Sequence, residues 1–239
     1  MKKRLKINGI LIVLAIIWLI FFPALFLRSA KESSWDAFAK LFGIALILLG
    51  QILRACGRGY KSEHSQSGHS LIQGGPYALV RNPMYLGILF IGLGIVLMLF
   101  RLWVIIIFLC VFTWRYILLI FKEEKKLLAV FAGAYLDYRQ KVPRLLPSPA
   151  AILQKDIAEY LPLKVSWLKK EIGSIIAVLS LALFMESWVG LKSAGIKVCL
   201  KDAGLSLTTI IVFIFLVIYL IRRTNNQKKD ASSKSKNTL

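Results

Sequence analysis

Three polar clusters with the residue types of a binding site interrupt an otherwise apolar chain of 239 residues. Residues 75–85 read Gly-Pro-Tyr-Ala-Leu-Val-Arg-Asn-Pro-Met-Tyr, residues 123–126 read Glu-Glu-Lys-Lys, and residues 135–144 carry two tyrosines and end in Val-Pro-Arg. Arginine suits an anion, a carboxylate suits a cation or an amine, and tyrosine suits an aromatic ring or a cation. The clusters therefore indicate a polar site at a membrane surface that acts on an amphiphile.

Arg81 is the first candidate in these clusters. Pro83 disfavours helix at Asn82 and suits the first turn of a helix that follows. Arg81 is thus expected beside a helix N-terminus, where an anion is favoured. The alternative is an arginine that anchors the following span by reaching to the membrane interface.

Two acidic residues and one buried cation are the next candidates. Glu123 and Glu124 end an apolar block where lysine is more usual, so one carboxylate is expected to face a cation or an amine. The alternative for this pair is a solvated face. Arg115 lies inside an apolar block, where a charge is costly and usually faces a protein cavity. We therefore expect Arg115 to face a protein cavity, the alternative being a brace between helices.

Four tyrosines accompany these charged residues. They suit either an aromatic belt at the membrane interface or a surface that stacks on a nucleobase or faces a cation. The four are Tyr77, Tyr85, Tyr135 and Tyr138. His64 and His69 lack the spacing of metal ligands, and we interpret them as loop residues.

The elements that must position these residues are membrane-spanning helices. The chain is 57% hydrophobic, and roughly 17–25 apolar residues cross a bilayer as a helix that satisfies its own backbone. The sequence predicts an all-α, polytopic integral membrane protein with about six spans and a polar site at its inner face. The apolar blocks are residues 10–27, 41–53, 86–100, 102–121, 172–191 and 205–221.

Between and beyond the spans, the sequence predicts a polar inner loop over residues 54–73 and a cytoplasmic helix that continues the fourth span to about residue 139. Residues 150–170 suggest an interfacial segment. We divide the chain into a membrane core, 1–147, with the motifs in 74–147, then an interfacial segment with a C-terminal hairpin, 148–221. A basic tail, 222–239, is expected to be disordered.

The net charge of +20 follows the positive-inside rule. With both termini in the cytoplasm, 24 of the 32 lysines and arginines lie in inner segments and seven lie outside. We therefore expect cytoplasmic termini, the plasma membrane if the source is bacterial, and contact with anionic lipid headgroups. Because membrane topology accounts for the excess of lysine and arginine, the positive charge does not indicate a nucleic-acid partner.

Spacing alone leaves the chemistry open, since no glycine-rich phosphate loop, Ser-His-Asp set or Cys-x-x-Cys pair is present. A non-catalytic scaffold or a small transporter is the alternative of another class. A six-span transporter is expected to show repeat symmetry and broken helices in mid-membrane, and the sequence shows neither.

At these clusters the chain resembles the isoprenylcysteine carboxyl methyltransferase family, which is related to phospholipid methyltransferases. Three ordered motifs carry the resemblance. They are Gly-Pro-Tyr-x-x-Val-Arg-Asn-Pro-Met-Tyr-x-Gly at 75–87, Glu-Glu-x-x-Leu at 123–127, and Phe-x-x-x-Tyr-x-x-Tyr-x-x-x-Val-Pro-Arg at 131–144. The family often has histidine where this chain has Asn82, and its Phe-Gly pair is Phe131-Ala132 here.

The resemblance implies a membrane methyltransferase that uses S-adenosylmethionine without a Rossmann domain. It implies cofactor binding by seven residues: Tyr77, Arg81, Asn82, Pro83, Tyr85, Glu124 and Tyr135. With this activity, Glu123 and Arg115 are the expected catalytic residues, and Arg115 is expected to line the acceptor pocket. Asn82 cannot titrate, so the resemblance transfers no proton-transfer role to that position.

The acceptor stays open between a prenylcysteine carboxylate or other isoprenoid, a phospholipid amine and a small thiol. A carboxylate nucleophile, with a pKa of about 4, is already ionised and needs no general base. An amine, with a pKa of about 10, must first lose a proton. Because few titratable groups accompany the acidic pair, the sequence favours an ionised acceptor. It does not indicate an oligomeric state.

Overall fold

The computed structural model describes residues 23–28, 34–65, 70–148 and 160–194, together with 196, 200, 203–204, 206–208, 210–215, 217–219 and 221–223. Within them the elements are helices, and the only β-pairing is an isolated bridge between Leu27 and Phe100. In chain order the helices are α1 Pro23–Phe26, α2 Ser34–His64, α3 Pro76–Leu79, α4 Pro83–Leu99, α5 Leu102–Lys141 and α6 Val165–Ala194.

The long apolar helices agree with a membrane protein, as the sequence predicted. Three helices are long and apolar enough to cross a bilayer: Trp35–His64, Leu102–Lys141 and Ser206–Arg223, and Pro83–Leu99 is a shorter apolar helix. The predicted fifth span falls within α6. The first predicted span, the basic tail and His69 lie almost wholly outside the described residues.

Helices α2 and α4 pack antiparallel with their backbones in close approach. Two glycine pairs make this possible, Gly43 with Gly94 and Gly50 with Gly87. A Cβ atom at Gly50 would lie 2.5 Å from the carbonyl oxygen of Gly87, and one at Gly94 would lie 2.4 Å from that of Gly43. Small residues at such contacts are how membrane helices gain packing where lipid gives no hydrophobic driving force.

Gly50→Ala is expected to lower the free energy of unfolding by about 1–3 kcal/mol, because the added methyl group overpacks this contact. Gly173→Ala on α6 is the matched control, since a Cβ atom there meets nothing within 4 Å. Thermal unfolding of both variants in the same detergent checks the prediction. Equal melting temperatures for the two would show that the α2–α4 contact tolerates a side chain.

Helix α5 confirms the predicted extension of the fourth span, but it is kinked. Ala132 has φ 41° and ψ −116° within the helix, in the left-handed half of the map where a Cβ atom is strained. In the turns after the kink, Tyr135 and Tyr138 are buried although most of α5 is exposed. This is the position at which the resembled family has glycine.

Ala132→Gly is expected to raise the free energy of unfolding by about 1 kcal/mol, since glycine adopts a positive φ without strain. Ala134→Gly, two residues along the same helix, should lower it by about 0.5–1 kcal/mol because that position is ordinary helix. Chemical denaturation of both variants compares the two. Destabilisation by both substitutions would mean that Ala132 is not strained.

One end of the bundle gathers the sequence motifs, and we call it the motif end. It contains the last turns of α2, the segment from Gly74 to Asn82, residues 121–147 and the start of α6. At the opposite end, Arg28 N–H donates to Leu99 O at 3.0 Å, and Arg28 pairs with Asp36 at 3.3 Å.

One expectation for the motif end needs correction. Residues 54–64, expected in a polar loop, continue α2 as helix, because Gly57 and Gly59 let it pack against Met84 and Trp167. This stretch is held by tertiary packing, which periodicity along a single sequence does not reveal. The described part of the predicted interfacial segment includes Leu163 and Trp167, which are 0% and 3% exposed, and its place at the membrane interface stays a prediction.

Candidate functional site at the motif end

A buried carboxylate between two arginines is the centre of the motif end. Glu124 Oε1 lies 3.0 Å from Arg81 Nη1, and the side chains of this pair are only 9% and 8% exposed. Arg144 donates two hydrogen bonds to the same carboxylate, from Nε to Oε1 at 3.1 Å and from Nη2 to Oε2 at 2.9 Å. The guanidinium carbon of Arg144 also lies 4.5 Å from the centre of the Phe121 ring. This trio of Arg81, Glu124 and Arg144 carries one excess positive charge and lies beside the start of helix α4.

Three tyrosines surround this trio, and each hydroxyl has a hydrogen-bond partner. Arg81 Nη1 donates to the Tyr135 hydroxyl at 3.4 Å. The Tyr138 hydroxyl donates to the backbone oxygen of Tyr77 at 2.7 Å, and the Tyr77 hydroxyl donates to that of Gly57 at 3.3 Å. Burial, with the charge of Glu123 adding to it, raises the pKa of Tyr77 to about 12. Tyr77 therefore stays a protonated donor at neutral pH.

Backbone contacts join the first motif to the third. Arg81 N–H donates to Pro143 O at 2.9 Å, and Asn82 Nδ2 donates to Arg144 O at 3.0 Å. The Asn82 side chain makes no cap bond to α4, and Pro83 begins that helix and is buried. These bonds connect the segment that carries Arg81 to the segment that carries Arg144, and the cofactor roles of Asn82 and Pro83 stay predictions.

Glu123 and Tyr85 form a separate pair on the neighbouring side of α5. The Tyr85 hydroxyl donates to Glu123 Oε1 at 2.7 Å, and the Tyr85 ring lies 5.4 Å from that of Tyr116. Glu123 is exposed whereas Glu124 is buried. The two adjacent carboxylates therefore have different surroundings. Glu124 lies between Arg81 and Arg144, and Glu123 lies at the surface of the α4–α5 contact.

A cavity of about 190 Å³ opens beside the trio. Its wall combines two cations, two serine hydroxyls, two tyrosines and three aliphatic side chains: Lys61, Ser65, Ser70, Leu71, Ile72, Tyr77, Arg81, Leu127 and Tyr138. Arg81 Nε is buried near this wall without a hydrogen-bond partner in the described part of the chain. Neither acidic residue is in the cavity's described wall, so the wall carries positive charge and apolar surface.

Arg115 is not part of this assembly. It is exposed, and its neighbour Trp114 is 76% exposed. Nine residues before Glu124, it lies on roughly the opposite side of an ideal helix. The acceptor-pocket role of Arg115 stays a prediction, separate from the Arg81 cavity.

The structure adds residues to which the sequence analysis gave no role. Arg144 belongs to the third motif. The sequence signal that could have identified it is its place in the single Pro-Arg pair of the chain, just after a predicted helix end. Lys61, near the end of α2, and Ser70, in the loop that follows, gave no signal in the sequence, because their residue types are ordinary for a solvated surface. Only the fold brings that loop to Arg81.

Comparison with known proteins bears on this site. Residues 38–134 match the phospholipid methyltransferase family. The chain is 32% identical over 142 residues to protein-S-isoprenylcysteine O-methyltransferase B of Arabidopsis thaliana. It is 29% identical over 127 residues to the enzyme named protein-S-isoprenylcysteine O-methyltransferase in Xenopus laevis, and 32% over 111 residues to that of Saccharomyces cerevisiae.

These alignments cover 54%, 49% and 43% of this chain and 66%, 42% and 46% of the three relatives. The chain thus spans less than two thirds of the length of each curated relative. No solved structure matches. The family match contains the first two motifs and the start of the third. The resemblance predicted from the motifs is confirmed: the chain is similar to the isoprenylcysteine O-methyltransferases and, through residues 38–134, to the phospholipid methyltransferase family.

Proposed function

We propose that this chain is a membrane methyltransferase that uses S-adenosylmethionine and methylates the carboxylate of an isoprenoid or lipid-like acceptor. The relatives' names supply the reaction class. The observation that carries the site is the cavity beside Arg81, with its unpartnered buried Nε atom and its aromatic and apolar wall.

The residues around the cavity fit this cofactor. Arg81 and Lys61 offer cations for its carboxylate, Tyr77 and Tyr138 offer ring surfaces for adenine, and Ser65 and Ser70 offer hydroxyls. When bound, S-adenosylmethionine supplies a methyl group on a positively charged sulfur. We assign Glu124 a role through Arg81, which it holds in place by the ion pair at 3.0 Å, and propose that backbone oxygens hold the ammonium group.

The state of the acidic residues favours an acceptor that is already ionised. Glu124 is shared between two arginines, and Glu123 accepts a hydrogen bond from Tyr85. An amine acceptor needs a base to take its proton, and the described cavity wall has no carboxylate or histidine. A carboxylate acceptor needs only positioning, which can itself supply much of the rate. Phospholipid N-methylation and thiol methylation are therefore the less favoured alternatives.

We propose that the motif end faces the cytoplasm, with six spans and both termini on that side. The charge asymmetry of the sequence, 24 inner against seven outer lysines and arginines, supports this orientation. The basic excess suits anionic headgroups of a bacterial plasma membrane. Accessibility labelling of single cysteines in segment 192–201 and after residue 239 should give opposite sides, and labelling from one side only would contradict the six-span topology.

Methyl transfer in lipid nanodiscs tests the proposed reaction. The full chain is incubated with methyl-labelled S-adenosylmethionine and with an S-prenylated N-acetylcysteine, its carboxamide, or phosphatidylethanolamine. We expect label in the free acid only, as an ester that releases methanol in base. Base-stable label in phosphatidylethanolamine would replace our proposal by N-methylation, and label in none of the three would count against the proposed acceptor class.

A further inference from the structure

The start of α6 is built into the motif end although it lies outside the region that matches the methyltransferase family. The match ends at residue 134, whereas Leu163, Trp167 and Glu171 are at most 3% exposed. Leu163 belongs to the same buried cluster as Leu79 and Val80, which lie between Tyr77 and Arg81. The C-terminal region therefore shares a buried cluster with the segment that carries the candidate site.

Trp167 is held on the last turns of α2 by polar and apolar contacts. Its indole N–H donates to Glu63 Oε1 at 2.7 Å, and Lys164 pairs with the same carboxylate while lying 4.8 Å over the Trp167 ring. The ring fills the space beside Gly59, where a Cβ atom would lie 2.2 Å from it. One turn further, Arg58 forms an ion pair with Glu171.

Tyr60 connects Trp167 to the first motif. Its ring meets Trp167 edge-on at 6.5 Å and 80°, and it stacks on His64 at 3.9 Å and 10°. Beneath the ring run Gly74 and Gly75. A Cβ atom at Gly74 would lie 2.4 Å from the Tyr60 hydroxyl, and one at Gly75 would lie 2.7 Å from ring carbons.

We propose that Tyr60, held by Trp167, is a positioning residue that sets the path of residues 75–81, so that α6 forms part of the methyltransferase site. Gly75 has φ 56° and leads directly into Tyr77 and Arg81. Because Gly75 lies against the Tyr60 ring, a displaced ring moves the chain that carries both side chains. This inference rests on the proposed function for its catalytic meaning, but the contact itself is independent of it.

The test uses the full chain in nanodiscs with two readouts. The first is S-adenosylmethionine affinity by calorimetry. The second is backbone hydrogen exchange of residues 77–82 without ligand. Tyr60→Leu should weaken cofactor affinity about tenfold to a hundredfold, the effect of misplacing binding groups by about 1 Å, and should speed exchange in that segment selectively. Tyr60→Phe keeps the ring and should stay close to wild type in both readouts.

A paired substitution tests the contact from the other side. Gly74→Ala places a methyl group against the Tyr60 hydroxyl and should impair both readouts, whereas the double variant Gly74→Ala with Tyr60→Phe removes that hydroxyl and should restore them. Trp167→Phe, which loses the N–H bond to Glu63 and part of the ring surface beside Gly59 and Tyr60, should speed exchange modestly in residues 77–82. Trp114→Phe and Tyr219→Phe, at exposed positions, are the matched controls.

Several results would overturn the positioning role. One is wild-type exchange at residues 77–82 in Tyr60→Leu, and a second is faster exchange spread equally over α2 and α4. A third is no rescue in the double variant. If Tyr60→Leu does not fold, the same two readouts in the double variant and in Trp167→Phe decide whether Tyr60 is a positioning residue. Absence of cofactor binding by folded wild type would remove the proposed function, while the exchange data would still decide the role of Tyr60.

Discussion

Glu124→Gln is expected to lower the free energy of unfolding by about 3–5 kcal/mol, the usual effect of removing one partner from a buried ion pair. Its carboxylate accepts bonds from both Arg81 and Arg144, and its side chain is 9% exposed. The amide would leave two guanidinium groups facing each other with their charges unbalanced. Thermal or chemical denaturation of the purified protein in detergent measures the loss.

Glu123→Gln is the control that the chain itself provides. The two residues are adjacent, but Glu123 is exposed and accepts a hydrogen bond from Tyr85 instead of pairing with Arg81 and Arg144. This variant should remain within about 0.5 kcal/mol of wild-type stability, as is usual for a surface substitution. Similar losses for the two variants would show that burial and ion pairing do not distinguish them, and would contradict the trio as the stabilising centre.

Arg81→Ala is expected to weaken S-adenosylmethionine binding about tenfold to a hundredfold. One charge-assisted hydrogen bond contributes roughly 1.5–3 kcal/mol, and each 1.4 kcal/mol corresponds to about a tenfold change in affinity. Arg81 supplies the unpartnered Nε atom beside the cavity. Calorimetry on folded protein measures the change.

Arg139→Ala removes the same charge from an exposed position on the last turns of α5. It should bind the cofactor nearly as the wild type does, apart from a small long-range effect that falls with added salt. Unchanged affinity in Arg81→Ala, with folding intact, would return Arg81 to a role in anchoring the first motif.

The sequence predicted the helices and the grouping of the motifs well, because both depend on local patterns. Apolar blocks located α2, α4 and α5, and the spacing of Tyr135 and Tyr138 predicted that α5 continues beyond its apolar block. The kink at Ala132 was visible only as a departure from the family's Phe-Gly pair.

The pairings within the site could not be predicted from the same patterns. No sequence pattern indicated that Arg81 and Glu124 pair with each other or that Arg144 joins them, as they do in the structure. Which charges meet depends on how α4, α5 and the segment after α5 are placed in space. The same holds for Trp167, whose burial depends on Gly59 in another helix.

The most direct test of the proposed site is photochemical crosslinking of methyl-labelled S-adenosylmethionine to the full chain in nanodiscs, followed by peptide mapping. The account predicts label in peptides from residues 57–85 or 121–144, competed by S-adenosylhomocysteine and much reduced in Arg81→Ala but not in Arg139→Ala. Competed label confined to residues 172–223, or no competed label on folded protein, would contradict a cofactor site at the motif end.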